Sequence, residues 1–169
     1  LYSKDNRCIC YESHLLVNWG MAAGFVVRGK NKGMPNKLLG VTTNSLCILT
    51  TRQPNSDSAD RYIIGVFLVK RSDEGDDVNA GTVTAEDKYR ISLTIEEAKE
   101  MPFWKYYQNN SDKAPTQWGT GLFRYVNDEA AIHILKDIVD VKNNIQEKAA
   151  AKEFLEHFIA VNNLGEQIL

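Results

Sequence analysis

Two cysteines and a histidine near the start of the chain are residue types that bind metals. Cys8, Cys10 and His14 form a Cys-x-Cys-x-x-x-His pattern, and Cys47 follows further along. Thiolate and imidazole are preferred ligands of Zn²⁺, but paired cysteines usually have about two to four residues between them. Cys8 and Cys10 have one, and Cys47 lies in an apolar segment that favours a buried structural thiol. We therefore expect no metal or other cofactor, with Cys8, Cys10 and His14 as weak zinc candidates.

Carboxylates beside lysines are the second group with catalytic potential. A metal-dependent nuclease centre needs an Asp and a Glu-x-Lys brought together in one site. The chain offers Asp60 together with Glu86-Asp87-Lys88 or Glu97-Ala98-Lys99. Since the first Glu-x-Lys falls in a predicted turn and the second on a short predicted helix, a nuclease is the weaker alternative.

Other catalytic motifs are absent from the sequence. It contains no Walker loop, no Gly-x-Ser-x-Gly elbow and no His-Glu-x-x-His helix. Of its three histidines, His133 and His157 fall on predicted helices, where a structural role is the common one. We expect a binding domain without catalytic residues of its own, although a longer parent protein could carry a nuclease.

The tryptophans indicate binding more directly. Trp19 is followed by Gly20, and Trp118 by Gly119; each follows an amide side chain, Asn18 or Gln117. A large ring beside a flexible backbone can stack on a nucleobase, although a tryptophan can equally close one end of a core. Trp104 lies in an aromatic run, Phe103-Trp104-Lys105-Tyr106-Tyr107.

Charge is divided unevenly along the chain. Residues 1–52 hold seven Lys/Arg and two Asp/Glu, whereas residues 53–169 hold 13 and 20, within a net charge of −2. A local positive face could attract phosphates, or the lysine-rich run could be a solvated loop.

Short strands followed by helices must position these residues. Apolar and β-branched runs predict strands at 24–28, 38–43, 46–51, 61–71, 82–84, 89–93 and 122–126. A capping box at Thr94–Glu97 predicts a short helix, and apolar periodicity predicts helices over 128–139 and 146–162. The near-continuous apolar run 61–71 indicates a strand that is buried on both faces.

This pattern predicts an α+β fold: a small, mostly antiparallel curled sheet or pseudo-barrel with flanking helices and a C-terminal helix. We expect one domain over 1–142. Residues 143–169 would form a helix that could tether a neighbouring domain or support homo-oligomerisation. Three cysteines and the lack of a long apolar run favour a cytoplasmic protein without a membrane partner.

The segment Trp118-Gly119-Thr120-Gly121-Leu122-Phe123-Arg124-Tyr125, with the helix start at Asn127-Asp128, resembles the closing strand and helix of PUA-like domains, especially the EVE and YTH branch. The strands at 46–52 and 61–71 are similar to that group's central strands. The resemblance covers residues 15–140. The Cys8–His14 stretch and the long C-terminal helix have no counterpart in that group.

The resemblance implies a module that reads a modified base, with DNA favoured over RNA, within a modification-dependent restriction system or a related one. The base would be extruded into an aromatic pocket formed by Trp19, Trp104, Trp118 and Tyr106. Contacts to the nucleic-acid backbone would come from Arg28, Lys30, Lys32, Arg52 and Arg124. The alternative from another class is a protein-interaction or assembly domain that docks through its C-terminal helix.

Overall fold

Four antiparallel strands form the sheet of the computed structural model, which describes residues 16–70, 81–109, 116–118 and 123–165. The strands are β1 (Gly20–Ala22), β2 (Leu46–Thr51), β3 (Tyr62–Val69) and β4 (Thr82–Ser92). Their order in the sheet is β1-β4-β3-β2, so the long β3 and β4 lie at its centre.

The centre of the core is β3. Every residue from Ile63 to Val69 is buried, which confirms the prediction of a strand covered on both faces. Gly65 allows close packing, because a β-carbon there would lie 2.8 Å from the carbonyl oxygen of Ile91 on β4. A larger residue at this position would push the two central strands apart.

The sheet is curled by irregular pairing. Between Ala85 and Arg90, β4 advances five positions while its partner β3 advances two, from Val69 to Phe67, so three extra residues bulge out of β4. Bulges increase twist and bend the strand that carries them. The result is a curled half-barrel with flanking helices, which confirms the predicted α+β fold class.

The bulge also explains why one predicted strand boundary was wrong. The charged residues Glu86-Asp87-Lys88 predicted a turn between two strands, but they lie within the single strand β4. Their polarity reflects a bulge that exposes Asp87 and Lys88 to solvent rather than the end of a strand.

Other strand predictions were wrong because the residues do not form a continuous ladder with another strand. Residues 38–43 form turns in which Leu38 is buried and Gly40 has a φ of 83°. Phe25 makes one isolated bridge with Pro35 instead of joining a strand. The predicted strand at 122–126 is described only from Phe123, and from there to Asn127 the backbone is irregular.

Three α-helices lie wholly within the described ranges: α1 (Ile95–Lys99), α2 (Asp128–Val141) and α3 (Ile145–Val161). The predicted caps are confirmed. Thr94 and Glu97 form the capping box of α1, and the Asn127 side chain accepts a hydrogen bond from the Ala130 amide at the start of α2. Asn144 caps α3 at the predicted break between the last two helices.

The C-terminal helix α3 packs on the sheet and on α2. Phe154 and Phe158 are buried, and Phe154 lies 5.5 Å from the ring of Tyr89 on β4. The Asn162 side chain donates a hydrogen bond of 3.1 Å to the carbonyl of Asn44. The apolar stripe of α3 is thus largely used within the chain, while its tether and oligomerisation roles stay predictions. No helix in the described ranges has the length and apolar character needed to cross a membrane.

Candidate functional site

Four aromatic rings gather at the end of the sheet where β3 begins. A short 3-10 helix over Phe103–Lys105 follows Pro102, which bridges to Tyr62 at the start of β3. The ring of Phe103 lies at the centre of the group, 5.2 Å from Trp104, 5.5 Å from Tyr107 and 5.3 Å from Trp118. Trp104 and Trp118 are 6.4 Å apart and nearly perpendicular.

Ser58 holds the two tryptophans in place. The indole Nε1–H of Trp104 donates to the Ser58 carbonyl at 2.6 Å, and the backbone N–H of Trp118 donates to the Ser58 hydroxyl at 2.8 Å. Ser58 begins a 3-10 turn, Ser58–Asp60, in the loop between β2 and β3. One turn residue therefore joins chain segments 46 and 60 positions away.

Two guanidinium groups lie against Trp118. The guanidinium carbon of Arg61 is 4.1 Å from the centre of the Trp118 ring, and that of Arg124 is 5.3 Å away. Arg124 also donates to the carbonyls of Phe123 and Trp118, which fixes its orientation. We call this group, Phe103, Trp104, Tyr107, Trp118, Arg61 and Arg124, the aromatic–arginine cluster.

The cluster concentrates positive charge. Burial lowers the pKa of Arg61, and the nearby charges of Arg52 and Arg124 lower it further. Its Nη1 donates to the Thr50 hydroxyl at 3.1 Å, and Arg52 donates to the carbonyl of Ser56. Among the described residues, none of these three arginines has a carboxylate within 4.0 Å.

Arg61 keeps an unused donor. Its Nε is buried and has no hydrogen-bond partner in the described part of the chain. A buried donor left unpaired costs about 1–3 kcal/mol, more when it is charged. A cation in this condition, with two cations as neighbours, would be stabilised by an anion that accepts hydrogen bonds.

The structure brings together four of the predicted site residues: Trp104 and Trp118 in the rings, and Arg52 and Arg124 beside Arg61. Arg61, Ser58 and Tyr107 were missed. Arg61 opens the strongest predicted strand, and a charged residue there looks like an ordinary strand end. Tyr107 lay in the aromatic run that contains Trp104, so the run itself was the available signal.

The other two predicted pocket residues lie elsewhere. Trp19 contacts Phe67 on β3 edge to face at 6.5 Å, and Arg90 lies 5.6 Å above its ring. Phe67 is six residues beyond Arg61, about 20 Å along an extended strand. The hydroxyl of Tyr106 donates to Asp137 on α2 at 2.5 Å, and burial together with this bond raises its pKa.

The basic residues of the N-terminal region form a separate group. Arg28, Lys30 and Lys32 are exposed on a loop that hydrogen bonds close at 26–34. They stay predicted backbone contacts, outside the aromatic–arginine cluster.

The metal and nuclease candidates do not meet in the described residues. Cys8, Cys10 and His14 lie outside those residues, and burial raises the pKa of the Cys47 thiol to about 12, as expected of a structural thiol. Glu97 pairs with Lys142, and Lys88 pairs with Glu153 on α3. No group of three His, Cys, Asp or Glu side chains suited to a metal occurs in the described ranges.

Comparison with known proteins identifies no relative. No family model, no curated protein and no solved structure matches this chain. The resemblance to PUA-like domains therefore stays a prediction.

Proposed function

We propose that this chain is a nucleic-acid-binding module whose contact site is the aromatic–arginine cluster. The observation that carries the proposal is two arginines, Arg61 and Arg124, against the ring of Trp118, with a third, Arg52, near Arg61 and no carboxylate partner for any of them in the described residues. Arginine forks fit phosphate oxygens, and aromatic rings offer faces on which bases stack.

Different residues of the site suit different parts of a nucleic acid. Because the guanidinium of Arg61 covers one side of Trp118, that ring supports the arginine more than it offers an open face. Phosphate oxygens would bind at Arg61, Arg124 and Arg52. A base would stack on Trp104 or Tyr107, or on the guanidinium plane itself, at about 1–3 kcal/mol per base.

Recognition of a modified base, extruded from a duplex or presented in a single strand, is the finer part of the proposal and rests on the PUA-like resemblance. Unstacking a base costs a few kcal/mol, which stacking and phosphate contacts would offset. A place in a modification-dependent restriction system belongs to the same expectation.

The test is equilibrium binding, followed by fluorescence anisotropy over a series of salt concentrations. The probes are methylated and unmodified DNA and RNA, as duplexes and as single strands. We expect Arg61→Gln and Arg124→Gln each to weaken binding about tenfold and to reduce the salt slope by about one phosphate contact.

Arg90→Gln is the matched control, because Arg90 also lies over a tryptophan but has a carboxylate partner, Asp87, at 3.2 Å. Equal weakening by Arg90→Gln and Arg61→Gln, or no binding of any probe by the unaltered protein, would refute the proposal. Preference for methylated over unmodified probes decides the finer part separately.

A further inference from the structure

One edge of the Arg61 guanidinium is held in place, and the other edge is unoccupied. Its Nη1 donates to the hydroxyl of Thr50 at 3.1 Å and to the Thr50 carbonyl at 3.4 Å. Neither Nε nor Nη2 has a hydrogen-bond partner in the part of the chain that the structure describes. These two nitrogens lie on one edge of the guanidinium plane, where parallel N–H groups fit two oxygens of one carboxylate or phosphate. Arg61 therefore presents an oriented and empty two-pronged donor.

The backbone sets this donor between a second arginine and the aromatic rings. The last pair of the β2–β3 ladder is Thr51 with Tyr62. The next residues, Arg52 and Arg61, therefore follow opposite each other, where β-carbons are about 4.5–5.5 Å apart on the same face. On the other side of β3, the Arg61 carbonyl accepts a hydrogen bond of 2.9 Å from the amide of Phe103.

The positive charge at this position is uncompensated. The guanidinium carbon of Arg124 lies 5.3 Å from the centre of the Trp118 ring that Arg61 covers at 4.1 Å. The acids of the neighbouring loop are engaged with each other, because the carboxylate of Asp60 accepts the backbone amide of Asp57 at 3.0 Å. Like charges that face each other across two strands are destabilising. An anion with more than one negative charge would compensate this group better than a singly charged one.

The burial of the empty edge limits the shape of the group that can occupy it. The Nε atom is buried, while Arg61 as a whole is half-buried. A phosphate inside a nucleic-acid strand carries one negative charge and has a sugar on each side. A phosphate monoester carries about 1.5–2 negative charges at pH 7 and has three free oxygens. Because it protrudes from the end of its molecule, a monoester can place two oxygens on Nε and Nη2.

The rings beside the arginines indicate which molecule carries the phosphate. Trp104 and Tyr107 are half-buried, so part of each ring remains in contact with solvent. Trp104 lies 6.4 Å from Trp118, whose ring the Arg61 guanidinium covers. A base joined to the bound phosphate could stack on such a ring. A phosphorylated serine or threonine side chain has no flat group that would use these rings.

We infer that the aromatic–arginine cluster binds the terminal phosphate monoester of a nucleotide, with two phosphate oxygens on the empty edge of Arg61 and the adjoining base on Trp104 or Tyr107. The inference rests on the proposed function and narrows its ligand from any stretch of nucleic acid to a phosphorylated end. The phosphate is bound unchanged. A strand end and a free nucleotide share this chemistry, and the test separates them.

The test compares single strands of one sequence that end in a phosphate, a methyl phosphate or a hydroxyl group. The three groups are placed at the 5′ end in one set and at the 3′ end in another, with a fluorescent label at the opposite end. We expect the phosphate at one of the two ends to lower the Kd measured by anisotropy about tenfold relative to the hydroxyl group. The methyl phosphate has one charge and one free oxygen fewer, and it should lower the Kd less than about threefold.

Arg61→Lys separates the two-pronged donor from its charge, because lysine is a point charge without a planar fork. This variant should reduce the preference for the phosphate end to about twofold and leave the Kd of the hydroxyl-ended strand within about twofold. Arg90→Lys is the matched control, because Arg90 also lies over a tryptophan but pairs with Asp87. It should keep the full preference, and equal losses in both variants would overturn the role of Arg61. The comparison of strand ends itself needs no variant.

Calorimetric titration with adenosine and cytidine 5′-monophosphate separates the free nucleotide from the strand end. Binding of either monophosphate, with no binding of any strand, would refute the proposed function while supporting the monoester site. Equal binding of all three strand ends, still weakened by Arg61→Gln, would overturn the monoester site and leave the proposed function standing. O-Phosphoserine that binds as tightly as the monophosphates would overturn the assignment to a nucleotide. If no probe binds, both fail.

Discussion

The side chain of Lys142 is buried and Arg61 is half-buried, yet the charges around the two cations are opposite. The ammonium of Lys142, in a side chain 4% exposed, contacts Glu97 at 2.9 Å, Glu147 at 2.8 Å and the Ser92 carbonyl at 2.9 Å. These three partners match the three donors of an ammonium group. Arg61 has no carboxylate among the described residues, two arginines near it and a buried Nε without a partner.

The difference separates a structural charge from one that is available to a ligand. Burial alone would lower the pKa of Lys142, but its bonds to Glu147 and Glu97 raise the pKa overall, so its partners more than offset desolvation. For Arg61, burial and neighbouring charge both lower the pKa. The first arrangement joins α1, α2 and α3, whereas the second leaves positive charge uncompensated at the cluster.

The largest expected effect is the loss of folding stability when Lys142 is replaced. Lys142→Met would leave the buried Glu97 carboxylate without its cation, and removing one partner of a buried pair costs about 3–5 kcal/mol. Urea unfolding followed by circular dichroism measures the loss. Lys152→Met is the control, because its pair with Glu156 is 3.9 Å long and exposed, and it should change stability by less than about 0.5 kcal/mol. Similar losses in both variants would contradict the structural role of Lys142.

Lowering the pH should weaken the ion pair between Lys142 and Glu97. Burial by itself raises the pKa of Glu97, but the bonds from Lys142 and Thr94 hold it below its ordinary value of 4.5. Its stabilisation is therefore complete above that value and is lost as pH falls through the lower pKa of the folded state, at about 1.4 kcal/mol per unit of pKa difference. Urea midpoints from about pH 6 to about pH 3 should fall more steeply for the unaltered protein than for Glu97→Gln. Parallel curves would show that Glu97 does not contribute.

Replacing Arg61 should change the free energy of unfolding much less than replacing Lys142. Arg61→Met removes a partly desolvated cation that repels Arg52 and Arg124, at the expense of its bonds to Thr50. We expect unfolding stability within about 1 kcal/mol of the original, because relief of repulsion offsets the lost bonds. The same urea titration checks this. A loss comparable to that of Lys142→Met would make Arg61 a structural residue and remove the contrast.

The smallest expected effect is the stabilisation of the folded protein by inorganic phosphate in the absence of nucleic acid. Inorganic phosphate that occupies the arginines would stabilise the folded state by about 0.4 kcal/mol at a concentration equal to its Kd. Thermal unfolding in phosphate and in chloride of equal ionic strength measures this shift. It should disappear in Arg61→Met and persist in Arg90→Gln.

Local patterns predicted much of the fold because local chemistry determines it. Thr94 and Glu97 are three residues apart, and the apolar run of β3 reports its own burial. The site was harder to predict, because its contacts join distant segments: Trp118 was expected in a site, but Arg61, 57 residues earlier, looked like a strand end. Glu97 and Lys142, 45 positions apart, likewise carried no local sign of their pairing. The predicted strands at 24–28 and 38–43 were wrong because apolar composition alone does not supply a continuous ladder; Phe25 pairs only in an isolated bridge with Pro35.

The close arrangement of Trp104 and Trp118 has an optical consequence. Two indoles held 6.4 Å apart and nearly perpendicular couple their electronic transitions, and the guanidinium at 4.1 Å perturbs the emission of Trp118. The third tryptophan, Trp19, lies about 20 Å away along β3, so a Trp19→Phe variant would leave only this pair in the spectrum. The protein thus carries its own chromophore at the cluster, and an anion that draws Arg61 from the ring would change its emission without any added label.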